Sequence, residues 1–311
     1  MNDNVKFFLD NFSKIENNLK SKKIYIFFGG FGEEREASLY SGEAVKRELL
    51  LNNNWQIEMI DPSVDKDWVN RLSKNSIVFN CLHGTFGESG HLASILDYLD
   101  VDYTFSDVYT SVVSFDKLFF KGIVNKLNVN TPLDNFDLRF SKVKKNLFVH
   151  KKIRGGGSID LNINGKIFDN YDQNFTEVFV AGKILTVGVL ESCGNYNPLS
   201  IVEIIMKNSQ FYDKKAKYED GFCEYKYYYG KNKKKIFEKI RVISSFLKIK
   251  GGARFDLIES KNGEVYFLEV NSVPGLYSDS NFIYSALGSR LNFYQVLIWL
   301  LNNARHNIYE I

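Results

Sequence analysis

The chain has 311 residues, 44% of them hydrophobic, enough to bury the cores of two or three domains of ordinary size. Its 40 basic residues nearly balance its 37 acidic ones, and the net charge of +3 argues against the charge asymmetry of a nucleic-acid or membrane-surface binder. Three cysteines, Cys81, Cys193 and Cys223, lack any metal-type pairing and fit reduced thiols packing as ordinary side chains in a cytoplasmic protein.

Residues 1–22 contain no long apolar run and no small-residue cleavage site, so neither a membrane span nor a signal peptide is expected there. A short amphipathic helix is predicted instead, with Val5, Phe8, Leu9 and Phe12 on one face. From Lys23 the pattern is an apolar strand, a Gly-Gly turn and a helix. SIVFNCLHG, Ser76 to Gly84, repeats that design, with a helix from about Gly90 to Leu99. Such alternation predicts a parallel α/β sheet with a ligand site at the strand ends, where GGFGEERE and HGTFGE lie. The first loop lacks the GxGxxG of a dinucleotide site and carries Glu33, Glu34 and Glu36. Acids at a helix N-terminus repel phosphate; they suit an ammonium guest, or simply complement the helix dipole. His83 ends a buried strand, where a histidine serves either as a satisfied core residue or as a site residue.

After Thr131-Pro132 the texture changes to short β-like runs separated by Gly, Asn and Asp, which predicts a small antiparallel domain. KKIRGGGS, Lys151 to Ser158, joins lysines to three glycines and a serine. It reads as a phosphate-cradling loop or as a surface hairpin tip. Beyond about Asn197 the chain returns to mixed α and β and ends in an apolar helix, FYQVLIWLLNNA. FYDKKAKY and the later KYYYGKNKKK are basic and aromatic, and read as solvated loops rather than as nucleic-acid stacking platforms.

ARFDLIESKNGEVYFLEVN forms the most informative hairpin. An even-length Ser-Lys-Asn-Gly turn pairs Glu259 with Glu264 and sets Arg254 opposite Glu269. Phe255, Leu257, Tyr266, Leu268 and Val270 then share a core face, and Arg254, Asp256, Phe267, Glu269 and Asn271 share the other. Two carboxylates and an amide oxygen on one face are hard ligands of the kind that hold Mg²⁺ beside substrate phosphates. The same pattern also serves a solvated polar face. Pro-Gly directly after the strand ends it at this place and turns a backbone N–H toward it.

Taken together in order, these segments resemble the D-alanine-D-alanine ligase family of the ATP-grasp superfamily. FFGGFGEEREASLYSG is similar to GGxSxEREVSLxSG, and CLHGTFGESG to LHGxxGEDG. YTFSDVYTSVVSFDK is similar to YTGSGVxASALxMDK, FYDKKAKY to FYDYEAKY, and GGARFDL with LEVNSVPGLYSDS to GxxRVDF with LEINTxPGMTxxS. The resemblance implies an α/β, mixed α+β protein of ATP-grasp architecture. Its parts are a helical extension over 1–22, a Rossmann-like parallel-sheet substrate domain over 23–105, a shortened antiparallel central subdomain over 106–182 and an α+β catalytic domain over 183–311.

It further implies an ATP- and Mg²⁺- or Mn²⁺-dependent ligase that joins two D-alanines through an acyl phosphate for peptidoglycan precursors. Such an enzyme takes small amino acids as partners, needs neither nucleic acid nor membrane, resides in the cytoplasm and forms a homodimer. By the same resemblance Glu34 holds the first ammonium beside His83, and Tyr218 closes that site. Lys117, Lys151 and Lys217 contact ATP, with Glu177 near the adenine. Asp256, Glu269 and Asn271 bind the metal, Arg254 and the N–H of Gly275 stabilise the oxyanion, and Ser280 receives the second carboxylate.

Departures cluster on nucleotide handling. The loop reads Gly156-Gly157-Ser158 where the family has Gly-Ser-Ser, so the first serine, which belongs to the family's catalytic hydrogen-bond network, is Gly157 here and Ser158 alone remains, and Ile184 replaces the ribose-binding acid. Lys152 replaces a proline, and Leu276, Tyr277 and Asn281 alter the rim of the second pocket. Two alternatives follow: a related ligase with another second amino acid or hydroxy acid, and a catalytically weak homologue that acts as a binding protein.

Overall fold

The computed structural model describes residues 3–142, 147–155, 173–207 and 223–306. Two short helices, α1 (Asp3–Asp10) and α2 (Phe12–Leu19), stand where one was predicted, the break falling at Asn11. Val5 and Phe8 are buried, with Leu9 and Phe12 packed partly against the same core.

A parallel sheet follows, built from β1 (Lys23–Phe27), β2 (Ile57–Ile60), β3 (Ser76–Asn80) and β4 (Asp102–Tyr103) in the order β2-β1-β3-β4. Helix α3 (Arg35–Asn52) links β1 to β2, while α4 (Thr85–Glu88) and α5 (His91–Tyr98) link β3 to β4. Because β1 lies between β2 and β3, the chain leaves β1 toward one edge and later returns to build toward the other. The crevice at such a switch point opens at the strand ends, between the loops after Phe27 and after Asn80.

Helices α6 (Val108–Phe115) and α7 (Lys117–Lys126) come next, and then a two-stranded antiparallel ribbon of β5 (Phe148–Lys152) and β6 (Asn174–Val178). The remaining strands, β7 (Gly182–Ser192), β8 (Asn195–Met206), β9 (Cys223–Tyr227), β10 (Gly252–Ser260) and β11 (Val265–Asn271), form an antiparallel sheet in the order β11-β10-β7-β8-β9. Helix α8 (Lys233–Leu247) covers it together with α7: Phe120 and Val124 pack with Ile236, Ile240, Leu185 and Phe255 in one core. Thus α7 shares its core with the large sheet rather than with the ribbon.

Helices α9 (Asn281–Gly288) and α10 (Phe293–Asn302) complete the chain, and α10 is the apolar helix expected there. It is buried among both halves, with Phe8 edge-on to Trp299 at 4.9 Å. The indole N–H of Trp55 donates to Tyr294 Oη at 3.2 Å, so α10 ties the first sheet to the second.

The β10–β11 hairpin differs in register from the sequence expectation. Arg254 faces Asn271, Asp256 faces Glu269, and Glu259 faces Val265. Two local features account for this. The turn is a three-residue loop, Lys261 to Gly263, closed by Ser260 N–H to Glu264 O and by Gly263 at φ +80°. A β-bulge at Leu268 then adds one further residue to β11. The one-residue shift of the turn reverses the expected faces up to the bulge: Phe267 is buried with Phe255 and Leu257, while Tyr266 and, in the bulge, Leu268 are only partly buried.

Candidate active site

The Gly-Gly loop after β1 owes its shape to a carboxylate at the end of β2. Gly29 and Gly30 have φ of +70° and +76°, and a Cβ on Gly29 would come within 2.4 Å of Asp61 Oδ2. Gly30 N–H donates to Asp61 Oδ1 at 3.0 Å, Arg35 Nη2 lies 2.6 Å from Asp61 Oδ2, and Arg35 also donates to Gly30 O. Burial works to raise the Asp61 pKa, but the hydrogen bonds from Arg35, Ser63 and Gly30 outweigh it and hold the carboxyl well below its ordinary range. Arg35 therefore braces the loop, and Glu34, at the N-cap of α3, lies beside Gly84, its Oε2 3.3 Å from where a Cβ on that glycine would stand.

His83 is buried beside it. Its Nε2 lies 3.2 Å from Ser41 Oγ, its Nδ1 3.6 Å from Glu88 Oε1, and Glu88 Oε2 accepts from Gly84 N–H at 2.8 Å. The Ser41 hydroxyl also accepts from Leu276 N–H at 3.4 Å, which docks the loop bearing Gly275 against α3. Ser280 caps α9, its buried side chain accepting from Ile283 N–H. Ser41 thus links His83 to Leu276, the neighbour of Gly275, while Glu34 lies beside Gly84.

A second cluster lies on the polar face of the hairpin. Asp256 and Glu269 are direct cross-strand partners, and Asn271 stands two residues beyond Glu269. Arg254 makes a forked pair with Asp256, at 3.0 and 2.8 Å, and the Thr186 hydroxyl donates to Asp256 Oδ1 at 2.7 Å. Lys117, at the start of α7, reaches across to Glu269 Oε2 at 3.4 Å and donates to Gly155 O at 2.6 Å. Asp116 caps α7 and pairs with Arg154, so the same turn anchors the beginning of the glycine-rich loop.

On β5, Lys151 Nζ lies 2.5 Å from Glu177 Oε1 of β6. Burial disfavours the Lys151 ammonium, but Glu177, Glu269 and Asp256 outweigh it and raise its pKa above the ordinary range. Glu177 is shifted the other way. Burial opposes its charge, while Lys121 and Lys151 lower its pKa. Next along β5, Lys152 reaches Glu33 of the first loop at 3.2 Å, spanning the two clusters.

Among the described residues no group of three His, Cys, Asp or Glu converges. The available donor set is therefore the two carboxylates with Asn271, all hard oxygen ligands, which fits Mg²⁺ or Mn²⁺ better than a soft metal. Ser158, Lys217 and Tyr218 lie outside the described residues. Sequence reasoning missed Asp61, Thr186, Lys121 and Asp134. Only Lys121 carried a signal, as the residue one helical turn after Lys117.

A family model described as D-ala D-ala ligase C-terminus matches residues 164–302. The D-alanine–D-alanine ligase of Aquifex aeolicus is 34% identical over 82% of this chain and 91% of its own length, and that of Fervidobacterium nodosum 32% identical over 90% and 98%. Among solved structures, the Bacillus anthracis D-alanine–D-alanine ligase complexed with ATP superposes with a TM-score of 0.73 at 23% identity, covering 91% of this chain and 96% of that one. VanG D-Ala:D-Ser ligase from Enterococcus faecalis gives a TM-score of 0.68, also at 23% identity, covering 90% and 98%.

Proposed function

The chain belongs to the D-alanine–D-alanine ligase family, with its ATP-grasp fold, and we propose that the two clusters form one active site joining two D-alanines at the expense of ATP. The protein is an ATP-dependent carboxylate–amine ligase of peptidoglycan precursor synthesis. The observation that carries the site assignment is the meeting of Lys117 from α7 with Glu269, itself facing Asp256 across the hairpin.

In this reading Glu34 takes the ammonium of the first D-alanine, in the crevice that His83 lines. The first carboxylate attacks the γ-phosphorus, ADP leaves and an acyl phosphate forms; the neutral second amine then attacks the acyl carbon, expels inorganic phosphate and gives up a proton as the amide forms. Lys117 and Lys151 neutralise phosphate oxygens, with Lys217 as a further cation in the same role. Asp256, Glu269 and Asn271 would hold Mg²⁺, which when bound would supply positive charge beside the phosphoryl oxygens. Arg254 and Gly275 N–H face the developing oxyanion, and Ser280 with the α9 N-terminus receives the second carboxylate. Glu177 acts through Lys151, since both of its oxygens are held by lysines. Tyr218, as the family resemblance implies, acts on the first site with Glu34, and Ser158 has the catalytic role of a loop serine.

No helix among the described residues is long and apolar enough to cross a membrane. A cytoplasmic homodimer is part of the proposal, and light scattering checks the dimer. Coupled measurement of ADP release with D-alanine and Mg²⁺, with the product weighed by mass spectrometry, tests the whole reading. D-alanyl-D-alanine is the expected product; a different second residue in the product would reassign the second pocket, and no D-alanine-dependent release would refute the reading.

A further inference from the structure

Helix α7 carries a second lysine that no part of the mechanism has used. Lys121 follows Lys117 by one turn on the same helix face, yet it points into the protein and is 2% exposed. Its ammonium meets Pro132 O at 2.6 Å, Glu177 Oε2 at 2.7 Å and Asp134 Oδ2 at 3.2 Å, with the Phe175 ring 5.4 Å away. An ammonium has three N–H groups, and each has an acceptor here. Such a lysine is too enclosed to touch a ligand. Its direct ion pairs are with Glu177 and Asp134, whose backbones bridge to each other.

We infer that Lys121 is a positioning residue for the nucleotide, holding Glu177 by one carboxylate oxygen so that the other sets the place of Lys151. This rests on the assignment of Lys151 to ATP under the proposed function. The charge balance supplies the reason. Two buried carboxylates, Asp134 and Glu177, are matched by two ammonium groups, and only Lys151 faces Glu269 and Asp256. Without Lys121, Asp134 keeps only the Coulombic attraction of the exposed Arg139, and Glu177 draws on Lys151 alone. The Lys151 ammonium then retreats toward Glu177 and away from the cleft, and nucleotide loses a cation that a water-filled gap does not replace.

The test uses the full-length protein and ATP itself. Lys121→Met should weaken ATP in calorimetry with Mg²⁺ by about tenfold or more, and raise KM for ATP alike, while KM for D-alanine stays within about twofold. Because this variant leaves two buried carboxylates on one cation, Lys121→Met/Asp134→Asn restores the count and keeps the experiment decisive if the single variant does not fold. The double variant should still bind ATP weakly, since Glu177 has lost its tether. ATP affinity within twofold of the parent in the double variant would overturn the inference, as would equal losses on both substrates. The calorimetric arm separates this from the ligase reading: a parent protein that binds ATP but makes no dipeptide sinks that reading while the Lys121 effect is still measured.

Discussion

Replacing Glu269 with glutamine should move nucleotide affinity in opposite directions with and without a divalent cation. Lys117 lies 3.4 Å from Glu269 Oε2, and Arg254 lies 2.8 Å from Asp256 Oδ2. Lys117, assigned to phosphate, and Arg254, assigned to the oxyanion, are thus paired with the carboxylates assigned to the metal. A triphosphate arriving alone must take Lys117 from Glu269 and approach that carboxylate as well. Coulomb's law at an effective dielectric of about 20 caps the 3.4 Å pair at about 5 kcal/mol. Glu269 is partly open to solvent, however, and pairs of that kind return about 1 kcal/mol when measured. Glu269→Gln should therefore bind ATP roughly fivefold more tightly in the presence of a chelator. With excess Mg²⁺ the same variant lacks one charged metal ligand, and affinity should fall by about tenfold or more. Titration calorimetry in both buffers reads the two signs. Movement of both affinities in the same direction would refute the partner-exchange argument.

Phe8→Ala removes a buried ring that is edge-on to Trp299 and to Phe12, and should cost about 3–5 kcal/mol in denaturant unfolding with KM for ATP unchanged. Asp61→Asn should lower stability at neutral pH. The folded pKa of Asp61 is depressed, so its contribution is complete above the ordinary carboxylate value of about 4 and is lost as pH falls through the folded value; the gap between parent and variant should be constant near neutrality and close in acid, as read by urea melts across that range. Lys152→Ala breaks only the exposed pair with Glu33. It should cost less than about 1 kcal/mol, a difference that high salt erases in thermal melts.

Regular periodicity made the parallel sheet and the apolar last helix legible, because each is written in consecutive residues. The break at Asn11 was not, since the apolar positions run on through it at helical spacing and only the packing of Phe8 against Trp299 and of Phe12 against Tyr294 requires the bend. Asp61 was equally hidden. It stands 31 residues from Gly30, and nothing local distinguishes it from a surface aspartate at a strand end. Lys121 shares that difficulty: its partners Asp134 and Glu177 are brought to it by the ribbon, not by the helix on which it sits.

The hairpin shows why a site can be read correctly from a pairing that is wrong. The three-residue turn and the bulge at Leu268 together slide the strands two residues past the expected register, so Arg254 meets Asn271 instead of Glu269. Side chains alternate with period two, so the shift of two past the bulge leaves every residue there on its original face. Asp256, Glu269 and Asn271 consequently stay on one side, while only the residues between turn and bulge, Tyr266 and Phe267, trade places. The slip even improves the site, since it brings Asp256 directly opposite Glu269, where a single cation can touch both. Removing Leu268 would shift only one residue, turning Phe267 out of the core or Glu269 into it. The bulge is thus the element that lets one strand bury Phe267 and still present Glu269 to the cleft.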